Sequence, residues 1–236
     1  MLKVRTKQKE FIIDFPKHFK NIAIKMSGGT DSSMLAYMLA KYKTNFHHDL
    51  NLHVITMDHP LKPFQIKFAK QVMAWIETNF DFKFSSHTTG IGTASGNYAD
   101  EQEVLLLKSY EQHNLDGHFM GQTLNPITHE ENQTLVNRWQ WRATERDAEN
   151  KDKLADTDFV VNEYEEKIKN GMTICGHYPF LFVDKKCIAE LYDYFGVKDT
   201  LFPLTRSCEQ ETTDFSKHCG KCWQCGEREY GFGRLV

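Results

Sequence analysis

Two groups of residues in the sequence have types and spacings that suit chemistry. The first is a short run that combines glycines, hydroxyl groups and one carboxylate. Its members are Ser27, Gly28, Gly29, Thr30, Asp31, Ser32 and Ser33. Glycines let several backbone N–H groups converge on an anion, and the hydroxyl groups add further donors. The run therefore predicts a seat for the pyrophosphate part of a nucleotide.

Asp31 is the carboxylate within this run. A carboxylate beside phosphate is repelled unless a Mg²⁺ ion or a helix N-terminus offsets its charge. We expect a nucleotide bridged by Mg²⁺ and assign Asp31 a catalytic role. The alternative interpretation is an ordinary helix cap, since Thr, Asp and Ser are common at helix starts. The run is not a Walker-type loop, because no lysine follows its glycines; Lys25 precedes them and is interpreted as a strand residue.

The second group consists of four cysteines near the C-terminus. They follow the spacing C-x10-C-x2-C-x2-C and are Cys208, Cys219, Cys222 and Cys225. Four thiolates suit Zn²⁺ in a closed structural site. An iron–sulfur cluster and a redox pair remain alternatives, since both also use cysteines at short spacing. The other two cysteines, Cys175 and Cys187, are interpreted as buried packing residues.

Short apolar runs alternate with helical patterns along most of the chain, which predicts an α/β fold with a parallel sheet covered on both faces. The expected strands are 21–26, 52–58, 82–87 and 117–121, and the expected helices are 31–43, 64–79, 98–112 and 184–195. The phosphate run then lies between a strand and a helix N-terminus, whose unpaired N–H groups and partial positive charge favour an anion.

The alternation stops over residues 122–171, which are polar and densely charged. We expect an irregular insertion, acting as a lid or a partner site, with a helix at 159–169. Arg138, Trp139, Trp141 and Arg142 predict a partly buried lid helix, or else a surface that stacks on a base. The expected division is a nucleotide domain over 1–204 and a cysteine-rich appendage over 205–236.

Composition limits the function classes. The chain has 29 basic and 32 acidic residues and a net charge of −3, which argues against a nonspecific nucleic-acid binder without excluding nucleic acid. No apolar run reaches the length of about 18 residues that a membrane span needs, and none follows the basic start. We therefore expect no membrane association and a cytoplasmic location, which also suits a cluster of reduced cysteines.

The strand, phosphate run and helix together resemble the PP-loop of the N-type ATP pyrophosphatases, the adenine nucleotide α-hydrolase-like superfamily. The resemblance implies a Rossmann-like (HUP) fold and an enzyme that splits ATP into AMP and pyrophosphate while it activates a substrate oxygen. It also implies, by position alone, that the end of the second strand holds adenosine. That end reads Thr56, Met57 and Asp58, of which we assign Met57 to the nucleotide.

The run and the tail taken together resemble the 7-cyano-7-deazaguanine synthase family. The tail is Ser207-Cys208, then Cys219-Gly220-Lys221-Cys222-Trp223-Gln224-Cys225, then Arg228 and Gly231-Phe232. The resemblance implies ATP, Mg²⁺ and Zn²⁺ as cofactors, ammonia and a deazapurine carboxylate as substrates, and a homodimer. Within this chemistry Lys185 would neutralise charge at the α phosphate; a solvated lysine in a first helical turn is the alternative.

The acceptor substrate is the part that the motifs leave open. Where the family shows a Tyr-Gly-Gln-like motif, this chain reads Met57-Asp58-His59-Pro60. Another PP-loop enzyme is therefore an alternative, either PAPS-reductase-like or forming an amide or thio group on tRNA or a metabolite. A non-catalytic nucleotide-binding module is the third interpretation.

Overall fold

The computed structural model describes residues 1–16, 18–60, 63–126, 129–139, 164–169, 171–210 and 215–235. Its centre is a six-stranded sheet in the order β5-β4-β3-β6-β8-β7, in which β7 alone is antiparallel to its neighbour. An antiparallel hairpin, β1 (Leu2–Arg5) and β2 (Glu10–Ile13), precedes it. The sheet strands are β3 (Asn21–Lys25), β4 (Asn51–Asp58), β5 (Ser86–Ile91), β6 (Gly117–Met120), β7 (Tyr164–Lys169) and β8 (Met172–His177).

Helices cover both faces of this sheet. They are α1 (Thr30–Phe46), α2 (Gln65–Phe80), α3 (Tyr98–His113), α4 (His129–Trp139), α5 (Lys185–Tyr194) and α6 (Trp223–Phe232), with a short 3₁₀ helix at Phe202–Leu204. Ile22 and Ile24 of β3 lie in the main core with α1, α2 and α5, whereas Ala23 faces a second cluster with α3. The predicted three-layer α/β fold with a parallel sheet is confirmed.

The central strand explains why one edge of the sheet carries the site. In β3, Ile22, Ala23 and Ile24 are all fully buried, as expected for a strand covered on both faces. Ile22 pairs with Leu52 of β4 and with Gly117 of β6, so the three strands run in parallel and in step. Their carboxyl ends therefore meet at one edge, where ligands bind in open α/β sheets.

Two sequence predictions are wrong in position or type. The strand expected at 82–87 begins at Ser86 and extends to Ile91. Residues 164–169 of the expected helix form β7, which pairs with β8 around Gly171 at φ +78°. β7 forms one edge of the sheet.

Much of the expected insertion lies outside the described residues. Residues 140–163, including Trp141 and Arg142, are not among them, and neither are the side chains of Arg138 and Trp139. The described part of 122–171 contributes α4 and β7.

The C-terminal segment packs onto the sheet domain through α6. Phe232 lies in the main core and stacks on Phe202 with 4.1 Å between ring centroids. Gly231 allows α6 to approach α5, since a Cβ there would lie 2.6 Å from the carbonyl oxygen of Lys185.

Among the described residues, no helix has both the length and the apolar character that crossing a bilayer requires.

Candidate active site

The phosphate loop joins β3 to α1 in a conformation that requires its first glycine. Gly28 has φ +74°, and a Cβ on it would lie 2.5 Å from Cβ of Phe68 on α2. Gly29 is the residue before the first turn of α1, and no side chain caps that helix. The helix-cap interpretation of Thr30 and Asp31 is therefore wrong. The N–H groups of the first turn have no acceptors within the helix and remain available to an anion.

Two adjoining cavities open at this loop. The larger has a volume of about 480 Å³ and contacts the loop at Ser27 and Gly29 to Ser32. The smaller, of about 180 Å³, lies between the ends of β3, β4 and β6 and helix α3. The two cavities share four lining residues: Ser27, Ser32, Gln65 and Gly121. A ligand on the loop can therefore extend into both spaces.

Asp31 and Lys185 meet on the wall of the larger cavity. The ammonium group of Lys185 pairs with Oδ2 of Asp31, although 154 positions separate them in sequence. Thr123 also donates to this oxygen at 3.3 Å, and Thr30 donates to Oδ1 at 3.1 Å. Both charged residues are at most 8% exposed, so the interpretation of Lys185 as a solvated lysine is wrong. Lys185 begins α5, and the side chain of Asp184 caps this helix.

Two residues of the predicted loop lie away from both cavities. Ser33 is fully buried on α1, and its hydroxyl group faces protein and not the cleft. Gly28 also lines neither cavity and contributes through its backbone conformation. The structure thus brings Ser27, Gly29 and Ser32 together with Thr30 and Asp31 at the cleft.

At the end of β4, Met57 is the residue that lines the smaller cavity. The hydroxyl group of Thr56 donates to the carbonyl oxygen of Met26 at 2.7 Å, which fixes it within the sheet. Asp58 accepts from the N–H of Ile66 at 3.0 Å, at the start of α2, and burial raises the pKa of its carboxyl group. Of the three positions suggested by resemblance, Met57 is therefore the one that lines a cavity at the phosphate loop.

The four cysteines of the tail converge on one point. All four Sγ atoms lie within 4.8 Å of one another, and the pairs Cys208–Cys222 and Cys219–Cys225 are each 3.9 Å apart. Zn–S bonds of about 2.3 Å in a tetrahedron place sulfurs roughly 3.8 Å apart, so the donor set fits one such ion. Sγ of Cys219 also accepts from the N–H of Cys222 at 3.3 Å, so the backbone of the C-x2-C turn contacts the cluster.

Arg206 connects the cysteine cluster to the phosphate loop, and sequence reasoning missed it. Its backbone N–H donates to the carbonyl oxygen of Gly28 at 2.8 Å. Its guanidinium is almost fully buried and donates to the carbonyls of Cys208, Gln210 and Lys217 at 3.1, 3.1 and 2.7 Å. One residue thus holds both sides of the larger cavity together. The available signal was an arginine two positions before the first cysteine.

Gly121 is a second residue that the sequence analysis did not assign to the site. It follows β6, and a Cβ there would lie 2.8 Å from the carbonyl carbon of Asp31 and 2.9 Å from the backbone N of Ser32. Overpacking of this kind costs about 1–3 kcal/mol. Because the clash displaces the phosphate loop, Gly121→Ala is expected to weaken ATP binding by about 10-fold or more. Isothermal calorimetry measures this change.

Gly171→Ala is the matched control for this substitution. It has no neighbour within 4 Å of the added Cβ and lies in the turn between β7 and β8. It is expected to cost some stability, because its φ is +78°, without changing ATP affinity. Equal ATP affinity of Gly121→Ala and the parent would contradict the steric argument.

Comparison with known proteins assigns both ends of the chain. Residues 1–96 match the family profile of the PP-loop domain, and residues 154–236 match the profile of the queuosine biosynthesis protein QueC. No curated protein matches the sequence. Among solved structures, the U34-tRNA thiolase NcsA from Methanococcus maripaludis, with its 4Fe-4S cluster, is similar over 91% of this chain and 72% of its own, at 15% identity and a TM-score of 0.47.

Proposed function

We propose that this chain activates a carboxylate with ATP and transfers the activated acyl group to ammonia. It is a member of the N-type ATP pyrophosphatase superfamily, with an N-terminal PP-loop domain and a QueC-like C-terminal segment. The proposed acceptor is 7-carboxy-7-deazaguanine. The observation that carries the proposal is that the phosphate loop and the cysteine-bearing tail line one cleft, with the pair Asp31–Lys185 on its wall.

The two cavities suggest how ATP binds. The β and γ phosphates occupy the loop and the first turn of α1, where N–H groups and hydroxyls converge. The purine occupies the smaller cavity, which Ile55, Met57 and Leu105 make largely apolar. The α phosphate then lies near Ser27 and Ser32, where the cavities meet. Mg²⁺ would be held by the phosphates and the carboxylate of Asp31, and it supplies charge neutralisation.

The residues of the opposite wall of the larger cavity favour an acceptor substrate that is planar and polar. It is formed by Trp223, Gln224 and Glu227 of α6. Nε1 of Trp223 and Oε1 of Gln224 are buried and have no hydrogen-bond partner in the described part of the chain. A buried polar group without a partner costs free energy, and a ligand that presents one acceptor and one donor would satisfy this pair. The lactam edge of a deazaguanine presents such a pair.

The chemistry requires little from the protein besides positioning and charge. A carboxylate oxygen of the acceptor attacks the α phosphorus, and the bond to the bridging oxygen of pyrophosphate breaks. Ammonia then adds to the acyl carbon and displaces AMP, which gives the amide. In a second round the amide oxygen is adenylated, and loss of AMP and a proton gives the nitrile. Lys185, on the wall of the larger cavity, would neutralise charge as the α phosphate reacts.

Zinc is the metal that we propose for the cysteine cluster. A 4Fe-4S cluster places several irons and sulfides between its four cysteines, which demands wider spacing than a single ion. Four sulfurs within 4.8 Å leave room for one tetrahedral ion. The ion would be structural, because all four positions of the tetrahedron come from cysteines.

Sulfur transfer is less well supported than amide or nitrile formation. It needs a reactive thiol beside ATP, and neither Cys175 nor Cys187 is among the described residues that line the two cavities. Cys187 packs 3.2 Å from the hydroxyl of Thr6, and burial raises the pKa of its thiol to about 11. A thiol of that kind is poorly nucleophilic near neutral pH.

The direct test is incubation with ATP, Mg²⁺, ammonium and 7-carboxy-7-deazaguanine, followed by mass spectrometry and pyrophosphate assay. The expected product is the nitrile, with two pyrophosphates released per nitrile because each of the two rounds consumes one ATP. Omitting ammonium is the control and should leave neither amide nor nitrile. ATP binding without either product would reject this acceptor and leave the nucleotide site standing.

A further inference from the structure

Lys25 is a charged residue in the site to which the proposed chemistry gives no role. It is the last residue of β3 and immediately precedes Met26 and the phosphate loop. It lines the smaller cavity but not the larger one. Its partners across the sheet, Ile55 and Met120, line the same cavity. Lys25 therefore forms part of the floor of this cavity, on the side covered by α3.

The surroundings of Lys25 are unfavourable for an isolated charge. Burial lowers the pKa of its ammonium group, and the carboxylate of Glu103 on α3 partly offsets the effect. Below it, His118 is buried on β6, and burial together with the charge of Lys25 lowers the pKa of its imidazole to about 3. The histidine is thus neutral and adds no second positive charge, but neither of its protonation states can offset the charge of Lys25. A bound ligand that supplies a hydrogen-bond acceptor to the ammonium group would account for a lysine at this buried position.

We propose that the ammonium group of Lys25 donates a hydrogen bond to a ring nitrogen of adenine and thereby contributes to recognition of the base. This inference rests on the proposed placement of the purine in the smaller cavity. The ring nitrogens N1, N3 and N7 of adenine are acceptors, whereas its exocyclic amino group is a donor that a cation would not meet. The β and γ phosphates are not the target, because they bind at the larger cavity, which Lys25 does not line. A contact with the α phosphate would leave ATP and its ring analogues binding alike, so the ring analogues separate the two possibilities.

The test compares the binding of ATP with that of its 1-deaza, 3-deaza and 7-deaza analogues, in which one ring nitrogen at a time becomes a C–H group. The parent is expected to bind one of the three about 10- to 100-fold more weakly than ATP, as for loss of a hydrogen bond to a charged donor. Lys25→Met is expected to bind ATP more weakly by a similar factor and no longer to distinguish that analogue. Lys25→Arg, which keeps a cationic donor, should recover part of the discrimination.

Lys108→Met is the matched control, since it makes the same chemical change on the exposed side of α3. It should bind all four nucleotides as the parent does. Thermal melting of each variant separates a folding defect from a lost contact. The proposal is overturned if Lys25→Met binds ATP as tightly as the parent, or if it keeps the parent's discrimination among the analogues. This assay measures nucleotide binding in the absence of the carboxylate substrate. Failure to form the nitrile in the separate product assay would therefore reject the proposed function and leave this inference standing.

Discussion

Replacing Lys185 by methionine is expected to reduce pyrophosphate release from ATP by about 100-fold or more, on the scale of removing one positive group that faces transition-state charge. The same change leaves the carboxylate of Asp31 buried without its cation. Breaking a buried pair on one side costs about 3–5 kcal/mol, so the free energy of unfolding should fall by a comparable amount. Urea unfolding and a coupled pyrophosphate assay measure the two effects separately.

A double variant separates the structural effect of the pair from its catalytic effect. Asp31→Asn combined with Lys185→Met removes both charges and keeps the side-chain shapes close to the originals. Replacing a buried ion pair by neutral groups is often nearly neutral for stability. The double variant should therefore recover most of the lost stability while its ATP turnover stays as low as that of the single variants.

The neighbouring lysine supplies the control for this prediction. Lys186 follows Lys185 on α5 but pairs with Glu131 at a half-exposed position. Surface pairs of this kind contribute about 0–1 kcal/mol, so Lys186→Met should change stability little and leave turnover intact. If the double variant regained turnover together with stability, the pair would have only a structural role, and Asp31 and Lys185 would lose their place in the proposed chemistry.

The parts of the site that the sequence predicted are those encoded locally. Gly28 and Gly29 between a buried strand and a helix predict the phosphate loop from a few residues, and the spacing of four cysteines predicts that their sulfurs converge. The contribution of Gly121 depends on how closely β6 approaches α1, and that of Arg206 depends on the chain returning to Gly28. Neither approach can be read from local composition, because both are set by tertiary packing.

The fold was misread where one pattern suits two structures. Tyr164–Lys169 carries charges that suit an exposed helix as well as an edge strand, and its pairing with β8 decides the matter. The sequence also carries a signal for the N-terminal hairpin, which the expected strands do not include. Leu2 and Val4 alternate with exposed residues, as do Phe11 and Ile13, and all four are buried. This period of two is typical of half-buried strands.

The cysteine cluster is expected to hold one zinc ion per chain, and Cys222→Ser is expected to release it and to unfold the tail. Structural zinc contributes about 10–16 kcal/mol of apparent binding free energy in small peptides, which is comparable to the whole stability of a typical domain. Few apolar residues besides Trp223 and Leu135 surround the cluster, so little else can replace the ion. Elemental analysis and near-ultraviolet circular dichroism measure both effects.

Metal loss should also weaken ATP binding, because the cysteine loop and the phosphate loop share Arg206. Its guanidinium holds the carbonyls of Cys208 and Lys217, while its backbone N–H holds Gly28. When the cysteine loop unfolds, the guanidinium loses those acceptors and the contact to Gly28 loses its support. Calorimetry with ATP before and after chelation tests this coupling, and Cys187→Ala, outside the cluster, should keep both zinc and ATP affinity. Unchanged ATP affinity after zinc removal would show that the two sites fold independently. A brown protein with visible absorbance would show that the cysteines hold an iron–sulfur cluster and not zinc.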